Sequence, residues 1–144
     1  MRQERKKLQP WVSSLGRHPT VLVWKVQDEY VLGIPDMLLK HRPSGHVMWL
    51  ELKWVDRLLV RDGCFRTGLT AEQYVHLHDW GEGAYLLIAV EPAGRVYLIP
   101  AAVLPTPTEK VTPEDLSRRS GVTSCGIDAG SVRQLVGSAL TSAS

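Results

Sequence analysis

Between Thr20 and Trp24 the chain runs Thr-Val-Leu-Val-Trp, a short apolar stretch rich in β-branched and aromatic side chains, which suits a strand better than a helix. Gly16 and Pro19 precede it as a break. Ile34 to Leu39 is a second apolar run, closed by the turn-rich His41-Arg42-Pro43-Ser44-Gly45, and Val47 to Trp54 follows, so these two runs are expected to form a β-hairpin. From Thr70 to Trp80 the period changes. Ala71, Tyr74, Leu77 and His78 recur at helical spacing, Thr70 and Gln73 fit a capping box, and Gly81 and Gly83 supply a stop. Ala84 to Val90 then reads as a strongly apolar strand, Pro92-Ala93-Gly94 as a turn and Arg95 to Ile99 as the partner strand. Strands, a helix and more strands in this order predict an α/β fold: a mixed sheet with helical cover.

The two ends carry weaker patterns. Met1 to Lys7 is basic, and Leu8-Gln9-Pro10 follows with neither a clear helical pattern nor the apolar run of a targeting signal. Beyond Pro100 the prolines 105, 107 and 113 interrupt the chain, and Ser, Thr and Gly dominate from Ser117. The expected organisation is therefore one compact domain over 1–104 and a Pro/Ser/Gly-rich tail over 105–144, loosely packed and partly flexible. Within that tail, Thr112-Pro113-Glu114-Asp115 resembles a helix start, and 131–140 fits a short helix with Val132, Leu135, Val136 and Leu140 on its apolar face.

Composition narrows the picture. The chain has 144 residues, of which 44% are hydrophobic and 22% charged, enough for one ordinary core and not for a second full domain. A net charge of +2 does not by itself make a polyanion-binding surface, so local clusters must carry any such claim. No stretch approaches the ~18 apolar residues of a membrane span, and a soluble, cytoplasmic protein without membrane contact is expected. Cys64 and Cys125 are too few for a four-cysteine zinc site and suggest no disulfide framework, so both are read as reduced and structural.

Candidate chemistry concentrates in Gly33-Ile34-Pro35-Asp36 and, past the hairpin turn, Leu50-Glu51-Leu52-Lys53. Side chains alternate along a strand, so Glu51 and Lys53 share one face while Leu50 and Leu52 turn to the core on the other, and hairpin pairing brings Asp36 alongside the charges. Two converging carboxylates make a hard oxygen site, better suited to Mg²⁺ or Mn²⁺ than to zinc. Such an ion polarises a phosphoryl oxygen and lowers the pKa of a bound water. A lysine two residues from a metal ligand can orient or deprotonate the attacking water and stabilise charge on a phosphate.

Pro35-Asp36 with Glu51-Leu52-Lys53 resembles the defining motif of the PD-(D/E)XK nuclease superfamily. The segment Gly33 to Gln73 is similar to its virus-type replication-repair branch (VRR-NUC), where a Gly-x-Pro-Asp strand, a Glu-x-Lys strand and a helix opening with Gln succeed one another; Leu69-Thr70-Ala71-Glu72-Gln73 matches the last element. The likeness covers roughly residues 16 to 100. It implies a restriction-endonuclease-like core, with Mg²⁺ or Mn²⁺ held by Asp36, Glu51 and the backbone carbonyl of Leu52. It also implies Lys53 as the catalytic lysine and Gln73 as an accessory catalytic residue. The implied activity is a divalent-metal-dependent endonuclease on DNA, structured or branched as for Holliday junction resolvase-like relatives, which work as homodimers. One departure is plain. Such nucleases often add an acidic residue from an N-terminal helix, whereas Glu4 sits in a segment without a clear helical pattern and Asp28 and Glu29 in a predicted turn.

Other residues leave readings open. The capping box alone accounts for a Gln at position 73 without any catalysis. Arg57, Arg61 and Arg66 lie on the segment between Lys53 and the helix, where they can contact phosphates; the cluster Arg2, Arg5, Lys6, Lys7 and the pair Arg118-Arg119 are further candidates. All three groups equally suit a solvated surface. Trp49 shares the face of Glu51 and can wall a cleft or pack in the core, while Trp54 points the other way. His76 and His78 face different directions on the predicted helix and His41 and His46 flank a turn, so none is read as a metal ligand. Two rival functions remain: a non-catalytic nucleic-acid-binding domain on the same fold, and a phage or plasmid accessory protein that binds a host protein.

Overall fold

The computed structural model describes residues 2–26, 33, 35–57, 63–120 and 124–141, with side chains from Lys6 onward. Helix α1 (Arg2–Gly16) leads into β1 (Val21–Lys25), β2 (Met37–His41) and β3 (Val47–Val55). Helix α2 (Ala71–Trp80) is followed by β4 (Ala84–Val90), β5 (Arg95–Pro100), α3 (Pro113–Ser120), β6 (Ser124–Gly126) and α4 (Ala129–Thr141). The strands form one six-stranded sheet in sequence order. All neighbours run antiparallel except β3 and β4, which are parallel. A parallel pair needs a crossover, and the segment carrying α2 supplies it. The expected mixed sheet with helical cover is what the chain forms.

Strand β4 explains the layering. Ala84, Leu86, Ile88 and Val90 belong to one apolar cluster, while Leu87 and Ala89 belong to the other, so the strand is buried on both faces and reads as a continuous apolar run. One cluster joins Leu77 of α2 and Leu116 of α3 to the sheet; the second joins Leu8, Trp11 and Leu15 of α1 to Val132, Val136 and Leu140 of α4.

Two expectations are corrected. The N-terminal segment is helical from Arg2 to Gly16 despite Pro10. Leu8, Trp11, Val12 and Leu15 sit at i, i+3, i+4 and i+7, and the stripe closes on the sheet with Trp11 Nε1 donating to the Ile127 carbonyl at 3.0 Å. Interior proline costs ~3 kcal/mol. Burial of Leu8 and Leu15 at about 1.5–3 kcal/mol each offsets that before Trp11 is added.

The segment after residue 104 is not loosely packed where it is described. Val111 pairs with Phe65, Leu116 is fully buried, β6 extends the sheet beside β5, and α4 covers Ala129–Thr141. The prolines fall in connections or at a helix start: Pro113 is the first residue of α3. There the Thr112 N–H donates to Asp115 Oδ2 at 3.2 Å and the Asp115 N–H to Thr112 Oγ1 at 3.1 Å. Among the described residues no helix is long and apolar enough to cross a membrane. Neither Cys64 nor Cys125 forms a disulfide among the described residues, and burial pushes the Cys125 thiol up to about 11.

Candidate active site

The β2–β3 register pairs Met37 with Leu50, and one further step sets Asp36 opposite Glu51. The Leu52 N–H donates to Asp36 Oδ2 at 2.9 Å, so the carboxylate is tied to the backbone of β3. The N–H and C=O of one strand residue point toward the same neighbouring strand, which turns the Leu52 carbonyl to the Asp36 side as well. Along β3, Leu50 and Leu52 pack into the cluster under α1 and α4. Glu51 and Lys53 therefore face α2.

On that face Glu51 is 1% exposed. Its Oε2 lies 3.8 Å from Lys53 Nζ and accepts from Gln73 Nε2 at 3.2 Å. A buried carboxylate is tolerated only with such compensation. Gln73 also completes the capping box of α2: its Oε1 accepts from the Thr70 N–H at 2.9 Å, and its own N–H donates to Thr70 Oγ1 at 3.1 Å. One amide therefore both caps α2 and touches the Glu51 carboxylate.

Gly33 anchors the other side. Its φ is +84°, and a Cβ there would meet the Glu72 carbonyl carbon at 2.4 Å and the Gln73 nitrogen at 2.7 Å. Only glycine lets the loop carrying Asp36 rest on the first turn of α2.

Four of the sequence-predicted residues thus lie around one point: Asp36, Glu51, Lys53 and Gln73. Among the described residues no group of three or more His, Cys, Asp or Glu is placed to hold a metal. The oxygen donors at this point are two carboxylates and a backbone carbonyl. That set fits Mg²⁺ or Mn²⁺, which keep several waters and take few protein ligands, and does not fit zinc. Asp28, Glu29 and Arg61 lie outside the described residues, as does the Glu4 side chain on α1.

The basic candidates divide. Arg57 is open to solvent beside Asp56 at 3.9 Å, and Arg66 Nε donates to the Thr108 carbonyl at 3.2 Å while remaining exposed. Both line a cavity of about 310 Å³ at the carboxyl end of β3, together with Trp54, Cys64, Phe65 and Gly68. A Cβ on Gly68 would lie 3.7 Å from Lys53 Cδ, so this cavity adjoins the carboxylate cluster. The Phe65–Val111 bridge brings exposed Lys110 onto the same stretch as Arg66. Sequence reasoning missed Lys110, since only long-range pairing reveals it. Arg118 bonds to Asp115, and Arg119 to Glu109 at 2.5 Å and the Val103 carbonyl at 3.0 Å, so both tie the tail together.

Trp49 lies on the Glu51 side but packs edge-on against Trp80, ring centroids 5.0 Å apart, as part of the core margin. Trp54 lies on the opposite face against Trp11 at 5.5 Å. His78 stacks on Tyr74, and His41 and His46 are half-buried, with His41 Nδ1 2.7 Å from the Ser44 hydroxyl.

Compared with solved structures, the chain is similar to Hjc, a Holliday junction resolvase from the archaeal hyperthermophile Archaeoglobus fulgidus. The likeness is one of fold. It has a TM-score of 0.50, covers 79% of this chain and 88% of Hjc, and carries 16% sequence identity. No protein-family model and no curated protein matches the sequence.

Proposed function

We propose that this chain is a Mg²⁺- or Mn²⁺-dependent endonuclease that hydrolyses DNA phosphodiester bonds, of the virus-type replication-repair branch of PD-(D/E)XK nucleases. The observation that carries the reading is the meeting of Asp36, Glu51, Lys53 and Gln73 on one face of the sheet, with Glu51 buried and bonded to Gln73. A surface ion pair on an ordinary hairpin has no need of a buried carboxylate. The fold-level likeness to a Holliday junction resolvase supports branched DNA as the substrate class.

In this reading Asp36, Glu51 and the Leu52 carbonyl hold the ion, which when bound supplies charge to a phosphoryl oxygen and acidity to water. Asp36 is kept in place by the Leu52 N–H. Gln73 fixes the plane of the Glu51 carboxylate. Lys53, with its side chain 13% exposed, presents its amine where charge develops on the scissile phosphate and where the attacking water must be oriented. Arg57, Arg61 and Arg66 contact flanking phosphates, which positions the strand without reading its sequence.

The test incubates the protein with labelled Holliday junction, flap, single-stranded and linear duplex DNA in Mg²⁺, Mn²⁺ or EDTA, beside Asp36→Ala and Lys53→Ala. Metal-dependent cutting by the wild type and none by either variant is expected, with branched DNA preferred. Binding without cutting would transfer the reading to a non-catalytic DNA-binding domain.

A further inference from the structure

The capping box of α2 has a geometry that a helix cap alone does not require. Gln73 Oε1 accepts from the backbone N–H of Thr70 at 2.9 Å while Nε2 donates to Glu51 Oε2 at 3.2 Å. Turning the amide over would set a donor against the Thr70 N–H and an oxygen against a carboxylate, so the two contacts select one orientation together. A glutamate at this position would cap the helix equally well but would set a carboxylate oxygen, not a donor, against Glu51.

We propose that the backbone N–H of residue 70 is a positioning group for the metal site. It holds the Gln73 amide with Nε2 toward Glu51, and through Gln73 it fixes the carboxylate that takes Mg²⁺ or Mn²⁺. The inference rests on the proposed function for the identity of the ion. The Thr70 hydroxyl is separate from this chain of contacts: it accepts the Gln73 backbone N–H at 3.1 Å and serves the helix. Cap and positioning can therefore be pulled apart at one residue. Thr70 has φ −77°, which a proline ring accepts, so Thr70→Pro removes the N–H together with the hydroxyl while keeping the backbone angle, and it differs from a variant lacking only the hydroxyl by the N–H. Thr70→Gly removes the hydroxyl and keeps the N–H, at a cost of a few tenths of a kcal/mol for an N-cap.

The experiment titrates full-length wild type, Thr70→Pro and Thr70→Gly with Mn²⁺ by calorimetry, with DNA cleavage measured alongside. Groups that orient metal ligands from behind typically change metal affinity by about 10–100-fold. The proline variant is expected to bind Mn²⁺ about tenfold more weakly or worse, and the glycine variant to lose markedly less. Equal Mn²⁺ affinity in the two variants overturns the proposal, since the residue 70 N–H is then without effect on the metal site. If Thr70→Pro does not fold, replacing residue 70 with the α-hydroxy analogue of threonine swaps the N–H for an ester oxygen. The same tenfold loss is then expected, and wild-type affinity overturns the proposal. Failure of the nuclease reading looks different: the wild type binds Mn²⁺ and cuts no DNA, while the order of affinities still decides the role of the residue 70 N–H.

Discussion

Gly33 and Gln73 are in backbone contact: a methyl group on the glycine would stand 2.7 Å from the glutamine nitrogen. One of these residues precedes the Asp36 carboxylate in the loop before β2, and the other touches the Glu51 carboxylate from α2. Their contact locks the two halves of the site together. Gly33→Ala faces both that clash and a φ of +84°, and is expected to lower stability by about 1–3 kcal/mol and to reduce cleavage beyond what the stability loss explains. Chemical denaturation and cleavage of the same preparation check both parts. A variant with unchanged unfolding midpoint and activity would show that the loop does not rest on α2.

Lys53 and Glu51 should fail in different ways. Lys53→Met leaves the carboxylates in place, so Mn²⁺ binding is expected to survive while kcat falls about 10²–10⁴-fold, the range of a positioned proton-transfer group. Glu51→Gln keeps the shape and removes the charge, so Mn²⁺ affinity itself is expected to drop. Calorimetry with single-turnover cleavage separates the two; loss of metal binding in both variants would assign Lys53 a purely electrostatic role at the carboxylate it approaches at 3.8 Å.

The hairpin, α2 with its cap and the β4–β5 pair were legible because each is announced locally. Alternation placed Glu51 and Lys53 opposite Leu50 and Leu52, and Thr70 with Gln73 marked the helix start. The dual use of Gln73 was not legible, since a capping motif says nothing about what lies across from it. Helix α1 carried a visible signal in Leu8, Trp11, Val12 and Leu15, but Pro10 reads as a breaker until the tertiary burial that outweighs it is known. Both α3 and α4 were announced locally, by the Thr112-Pro113-Glu114-Asp115 start and by the Val132, Leu135, Val136 and Leu140 face, but their packing was hidden because its stabilisation comes from partners far away in sequence. Lys110 next to Arg66 is a product of the Phe65–Val111 pairing alone.

That long-range packing makes a prediction about the C-terminal segment. Leu140 is 1% exposed among α1, α4 and the sheet, and Leu116 is fully buried on the opposite face. Each truncation to Ala is expected to cost about 2–5 kcal/mol, values found for core positions and not for a loose tail. Urea unfolding of Leu116→Ala and Leu140→Ala measures it, and losses under half a kcal/mol in both would return the segment to a peripheral role.

The pH response of the fold should lie in the acid range and trace to helix starts. Asp115 is held below its ordinary value of 3.8 first by the Thr112 N–H and then by Arg118; Asp128 is held below the same value by the backbone N–H and hydroxyl of Ser131. A depressed folded-state pKa stabilises the native state above the unfolded value and stops doing so as pH falls through the folded value. Stability is therefore expected to be level through neutral pH on account of these groups and to decline below about pH 4, near the carboxylate reference value. The loss should be focused on α3 and α4, where Asp115 and Asp128 meet the first turns. Side-chain carboxyl NMR titration gives both midpoints directly. If Asp115→Asn and Asp128→Asn leave the acid limb of the unfolding curve unchanged, acid sensitivity originates elsewhere, and the buried Glu51 becomes the next carboxylate to titrate.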